Sequence, residues 1–207
     1  MNQAEPHFVQ VTIWEFIMPN DRGDRYEDPL DEVLESHDLG EVCGGGSQLS
    51  DDCGIEYVDI EIELNDIEKG LPIIREVLEE QGVPKGSLIR YEIDGQEITS
   101  TFGVAECLAI FLDGVGLPDE VYQTSDINEL ADKIIEILDQ QPSGEIRSSW
   151  AGPQETALFI FSTNAQETFA ALAPLLHSFP LAQNARIVIR HGKPELNPET
   201  VRIPMLQ

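Results

Sequence analysis

Residues Gly40 to Leu64 read GEVCGGGSQLSDDCGIEYVDIEIEL, and they decide the fold. From Ile55 onward the residues alternate. Val58, Ile60, Ile62 and Leu64 share one parity, and Tyr57, Asp59, Glu61 and Glu63 share the other. Strict alternation marks a strand with one buried and one wet face. Same-face neighbours lie about 7 Å apart, so Asp59, Glu61 and Glu63 form a row of carboxylates. Aspartate and glutamate are poor strand formers, and the row repels itself. It reads either as a solvated sheet face or as a docking face for a cationic partner, with Tyr57 beside it. Gly44, Gly45 and Gly46 precede this strand and mark a bulge or a close backbone approach. A phosphate loop would need a following helix and usually a lysine. Here a strand follows, and no lysine occurs before Lys69.

Working outward, Phe8 to Met18 is rich in β-branched and aromatic residues and reads as a strand. Pro19 to Arg25 reads as a loop, and Asp28–Pro29 as a helix start. Leu30, Val33, Leu34 and His37 then form one stripe, with His37 as a boundary residue. Asn65 and Glu68 suggest a capping box. Ile67, Leu71, Ile74 and Leu78 follow as a helical stripe with Pro72 inside. Ser87 to Ile93 is a strand closed by Asp94–Gly95. The order is β-α-β-β-α-β.

The same order repeats in the second half. Val104 to Leu112 is a strand, and Asp126 caps a helix carrying Leu130, Ile134 and Leu138. Glu145 to Trp150 and Thr156 to Ser162 form a hairpin. Asn164 caps a helix interrupted by Pro174, and Arg186 to Arg190 closes the unit. Gly40–Glu41–Val42 recurs as Gly144–Glu145–Ile146, which supports an internal duplication. Val201 to Met205 reads as a short edge strand. The expected fold is α+β: two tandem units, 1–100 and 101–207.

This order resembles the ferredoxin-like split-βαβ plait. The GGGS hairpin with its acidic strand resembles uncharacterised bacterial proteins with tandem ferredoxin-like repeats. That likeness implies a fold and no function, because the plait hosts many unrelated activities. In such a plait the unit's third strand is central and both helices cover one face. Asp59, Glu61 and Glu63 would then line the open face of the first sheet. In the second unit Phe159 and Phe161 take the places of Glu61 and Glu63. A sheet apolar on both sides must be covered on both. Phe159 and Phe161 are therefore expected to be buried by the tail, the first half or another chain, a homodimer being one means.

The chain has 39 acidic and 12 basic side chains, a formal net charge of −27. Residues 1–103 hold 25 acids and 6 bases, a balance of −19, leaving 14 and 6 (−8) for 104–207. This acidity argues against direct binding of nucleic acid or anionic lipid. Cys43, Cys53 and Cys107 are an odd set with no secretory leader, which points to free thiols and a cytosolic setting. No apolar run approaches the roughly 20 residues that span a bilayer. His7, His37, His177 and His191 lack metal spacing, and no nucleophile motif occurs. Asp51 and Asp52 with Asp59 or Glu61 lack calcium-loop spacing. No catalytic residue, metal site or cofactor is assigned. The leading expectation is a non-enzymatic binding protein that offers an acidic face to a basic partner, as an immunity or anti-toxin protein would. The alternatives are a small-ligand regulatory module and an enzyme of the paired-plait barrel type.

Overall fold

The computed structural model describes residues 6–50, 54–140, 144–193 and 200–205. Residues 51–53, with Asp51, Asp52 and Cys53, and residues 194–199 lie outside the described residues. The chain divides into two compact units, Met1–Val104 and Ala105–Gln207.

The first unit runs β1 (His7–Ile13), α1 (Pro19–Arg22), a π-helical turn (Gly23–Glu27), α2 (Asp28–Ser36), β2 (Gly40–Ser50), β3 (Gly54–Leu64), α3 (Ile67–Glu80), β4 (Ser87–Ile93) and β5 (Gln96–Phe102). Its antiparallel sheet has the order β2-β3-β1-β4-β5. The second runs β6 (Glu106–Asp113), α4 (Asp119–Thr124), α5 (Ile127–Leu138), β7 (Gly144–Ala151), β8 (Glu155–Ser162), α6 (Ala165–Ser178), a 3-10 turn (Pro180–Ala182), β9 (Arg186–Arg190) and β10 (Thr200–Arg202). Its order is β10-β9-β6-β8-β7. Read from opposite ends the two orders are the same, each a four-stranded ferredoxin-like arrangement with a fifth strand added beside the fourth.

The register repeats in detail. Val42 pairs with Ile62, the next ladder pair is Gly44 with Glu61, and Cys43 is the extra residue of a bulge. In the second unit Ile146 pairs with Ile160, Ser148 with Phe159, and Arg147 is the extra residue. Both bulges follow the Gly-Glu-aliphatic triplet found in the sequence. The helix-side row is fully buried: Val58, Ile60, Ile62 and Leu64 are each 0 % exposed. Burying each contributes about 1.5–3 kcal/mol. Beneath α5 and α6 the second core gathers Leu108, Ile110, Leu130, Ile134, Ile160, Leu172 and Leu176.

Several sequence expectations shift. The first strand ends at Ile13, where Glu15 N–H bonds back to the Ile13 carbonyl and the Trp14 indole N–H donates to Gly86 O at 2.9 Å. The expected loop from Pro19 is helical. It passes through the π turn into α2, so Asp28 is αR within a continuous helical run and caps nothing. Pro29 lacks the N–H that an α register would require, and the π turn directly before it shifts that register. At α3 the cap is Asp66 rather than Asn65: its carboxylate accepts the Lys69 N–H at 3.1 Å. Asp126 and Asn164 cap α5 and α6 as expected. β5 and α4 have no counterpart in the sequence reading.

Candidate functional site: the open face of the first sheet

The register places Gln10, Thr12, Asp59, Glu61, Glu63, Leu88, Arg90 and Glu92 on the face opposite the buried row. At its centre Arg90 Nη1 donates to Thr12 Oγ1 at 3.1 Å, and Thr12 Oγ1 donates to Asp59 Oδ1 at 2.5 Å. Arg90 also reaches Gln10 Oε1 at 3.5 Å. Thr12 is 1 % exposed, so this relay satisfies a hydroxyl that burial would otherwise penalise. Tyr57 stacks edge-on against Trp14, with ring centroids 5.2 Å apart. The four residues singled out from the sequence therefore do not act as one uniform row. Tyr57 belongs to an aromatic pair and Asp59 to a polar relay, Glu61 is half-buried beside Gly44, and Glu63 lies at the end of the sheet.

Glu63 opens into a groove of about 640 Å³. Glu35, Asp38 and Glu41 form the rest of its acidic wall, with Gly40 and Asn65 between them, and among the described residues no lysine or arginine lines it. The end of α2, the start of β2 and the end of β3 meet here. Asp38 takes φ 55°, and its carbonyl accepts from Asn65 Nδ2 at 3.4 Å. Gly40 runs so close to the Glu63 backbone that a Cβ would overlap the Glu63 carbonyl. Glu35, Asp38 and Glu41 were missed in the sequence because they sit on three different local elements. Only the DLG turn between helix and strand hints that they converge.

The glycine run has its own neighbour. A Cβ on Gly45 would come within 2.7 Å of both Asp59 O and Glu27 Oε1. Arg22 Nε pairs with Glu27 Oε1 at 2.7 Å, and its Nη1 donates to Gly46 O at 2.8 Å. The π turn thus lies across the triglycine strand, which accounts for the close approach expected there. Behind it, Tyr26 Oη donates to Glu15 Oε2 at 2.6 Å, both residues being buried. Cys43 is a free, exposed thiol. Partial desolvation raises its pKa above the ordinary value, and the charges of Glu63, Glu61 and Glu41 push the same way.

On the matching face of the second sheet stand Ala109, Phe111, Ala157, Phe159, Phe161, Arg186, Val188 and Arg190. Phe159 and Phe161 are each 2 % exposed. Phe111 meets Phe159 edge-on, and the Arg147 guanidinium lies 4.6 Å from the Phe161 ring centre. Arg186 sits 3.8 Å over Phe111 and pairs with Glu155 at 2.6 Å. His191 stands exposed at the end of β9, 3.0 Å from Glu106. Among the described residues no group of histidine, cysteine, aspartate or glutamate could hold a metal, and no helix is long and apolar enough to cross a membrane.

No protein-family model matches the chain, and no curated protein does. Among solved structures the chain is similar to an unknown protein from Galdieria sulphuraria, at 12 % identity over 90 % of this chain and 97 % of that one, with TM-score 0.26. It is also similar to a "putative monooxygenase" from Lactobacillus acidophilus, at 10 % identity over 96 % and 100 %, with TM-score 0.27. At such scores neither likeness carries weight for function.

Proposed function

We propose that the chain is a non-enzymatic binding protein whose first unit offers carboxylates to a basic protein partner. The observation that carries this reading is the groove, which Glu35, Asp38, Glu41 and Glu63 line with no lysine or arginine among the described lining residues. Four like charges lining one groove repel one another, and a lysine or arginine entering between them relieves that repulsion. The surrounding charge, −19 over residues 1–103, adds long-range attraction and speeds encounter with a cationic surface. An immunity or anti-toxin role has this character.

The test is capture of basic proteins by the immobilised chain at low and high salt, beside a Glu35→Gln, Glu41→Gln, Glu63→Gln variant. Binding that weakens with salt and falls at least about tenfold in the variant supports the reading. Binding that neither salt nor the variant changes, or none at any salt, overturns it.

A further inference from the structure

A sheet edge is a row of unpaired backbone groups, and folded proteins ordinarily plug it. In the first sheet the outer edge of β2 is plugged over its first half, Val42 to Gly46. Asp31 Oδ1 accepts the Val42 N–H at 2.7 Å, and Arg22 donates to Gly46 O. Among the described residues the opposite edge, β5, is closed at its C-terminal end. There Arg75 Nη1 donates to Thr101 O at 3.3 Å, and the Gly103 N–H donates to Glu79 Oε1 at 3.2 Å. Those two bonds also fix which residues turn their backbone outward: 101, 103 and, by the two-residue period, Thr99 and Glu97. Among the described residues of this unit the one strand alongside Gln96 to Ser100 is β4, and Gln96 to Thr99 are exposed. The segment QEITS contains no proline or lysine to guard it. By contrast the matching strand in the second unit, β10, is three residues long and carries Arg202.

The side chains around this edge say what it would accept. Glu92 and Glu97 stand directly opposite each other on the open face, both exposed. Like charges in that position destabilise a ladder, and a cation on an added strand would relieve them. On the other face Ile93 and Ile98 are 40 % and 36 % exposed. An incoming strand would therefore meet acid on one side and isoleucine on the other. A second copy of this chain is a poor occupant, since it brings another net −27.

We infer that the β5 edge takes up an extended segment of a basic partner as a sixth strand, a segment in which lysine or arginine alternates with an aliphatic residue. This deepens the binding reading above and rests on it. Backbone bonds at Glu97 and Thr99 would give affinity, and the alternation would give register.

The test uses the full chain and an end-blocked octapeptide alternating lysine with valine, followed by amide NMR and titration. The expected result is slowed exchange of the Glu97 and Thr99 amides. Thr99→Pro is expected to weaken binding at least about tenfold with an unchanged circular dichroism spectrum, because proline is tolerated where its nitrogen faces outward on an edge. Glu92→Gln with Glu97→Gln weakens it a few-fold and flattens its salt dependence. Equal binding of a glutamate–valine octapeptide overturns the inference. So does protection confined to other residues, or a wild-type affinity in Thr99→Pro. If the lysine peptide binds, Thr99→Pro has no effect and the groove variant abolishes binding, the inference fails while the binding reading stands. Absence of binding at any salt defeats both.

Discussion

The two sheets carry opposite chemistry at equivalent positions. Glu61 and Glu63 correspond by register to Phe159 and Phe161, Thr12 to Phe111, and Glu92 to Arg190. At the far end the contrast reverses, where the Trp14–Tyr57 ring pair of the first unit matches Asp113 beside Glu155 in the second. On the helix side, by contrast, both units keep aliphatic residues, with Ile60 and Ile62 standing where Leu158 and Ile160 stand. The helix-facing row fixes the plait, so the opposite row was free to diverge. Differences in activity between the units should therefore lie on that second row.

The largest expected effect comes from giving the second face the chemistry of the first. Phe159→Glu places an unpaired carboxylate at a position that is 2 % exposed. It should cost about 3 kcal/mol or more. Trp14 and Trp150 allow each unit to be followed by fluorescence in urea with the other tryptophan replaced by phenylalanine. Only the Trp150 transition should move strongly. The reciprocal Glu61→Phe should move the Trp14 transition by about 1 kcal/mol or less.

Next comes Asp113, whose place in the first unit is taken by Trp14. Its carboxylate accepts the N–H groups of Val115 and Gly116 at 2.9 and 2.7 Å and the Asn184 side-chain amide at 2.6 Å. Partial burial pushes its pKa up, but those bonds outweigh burial and hold it below the ordinary range. Asp113→Ala should cost about 1–3 kcal/mol. Because the folded pKa is depressed, the stabilisation is present above the unfolded value of about 3.9 and is lost as pH falls through the folded one. The variant should therefore converge with wild type in acid.

Thr12→Val tests the polar relay of the first face. Arg90 loses the nearer of its two acceptors and Asp59 loses the Thr12 donor, for about 1–2 kcal/mol, read as a shift of the Trp14 transition alone. The smallest effect concerns Cys43, which occupies the bulge position that Arg147 fills in the second unit. Its raised pKa predicts slow alkylation near neutral pH, and Glu63→Gln should speed the reaction without altering stability. Equal rates in the two would remove Glu63 as a cause and leave desolvation.

The sequence made some levels of this structure readable and left others out of reach. Alternation from Val58 to Leu64 and the Gly-Glu-aliphatic triplets were enough for the strand, its two faces and the duplicated plait, because burial imposes a period on composition. The π turn was hidden because Pro19 and Pro29 bracket a polar segment that looks like a loop. Its helicity comes from Tyr26 packing behind the sheet and from Arg22 reaching the triglycine strand. β5 was hidden because an exposed edge need not alternate. The groove joins residues from three elements, and no local pattern announces such a meeting.

Hydroxyl-radical footprinting of the intact chain tests the central contrast most directly, with Phe8, 53 % exposed, as an internal standard. The two-face account predicts rapid oxidation of Phe8 and protection of Phe159 and Phe161. In a parallel carbodiimide reaction it predicts ready labelling of Glu41 and Glu63. Oxidation of Phe159 and Phe161 at the rate of Phe8, or carboxylates that resist labelling, would contradict it.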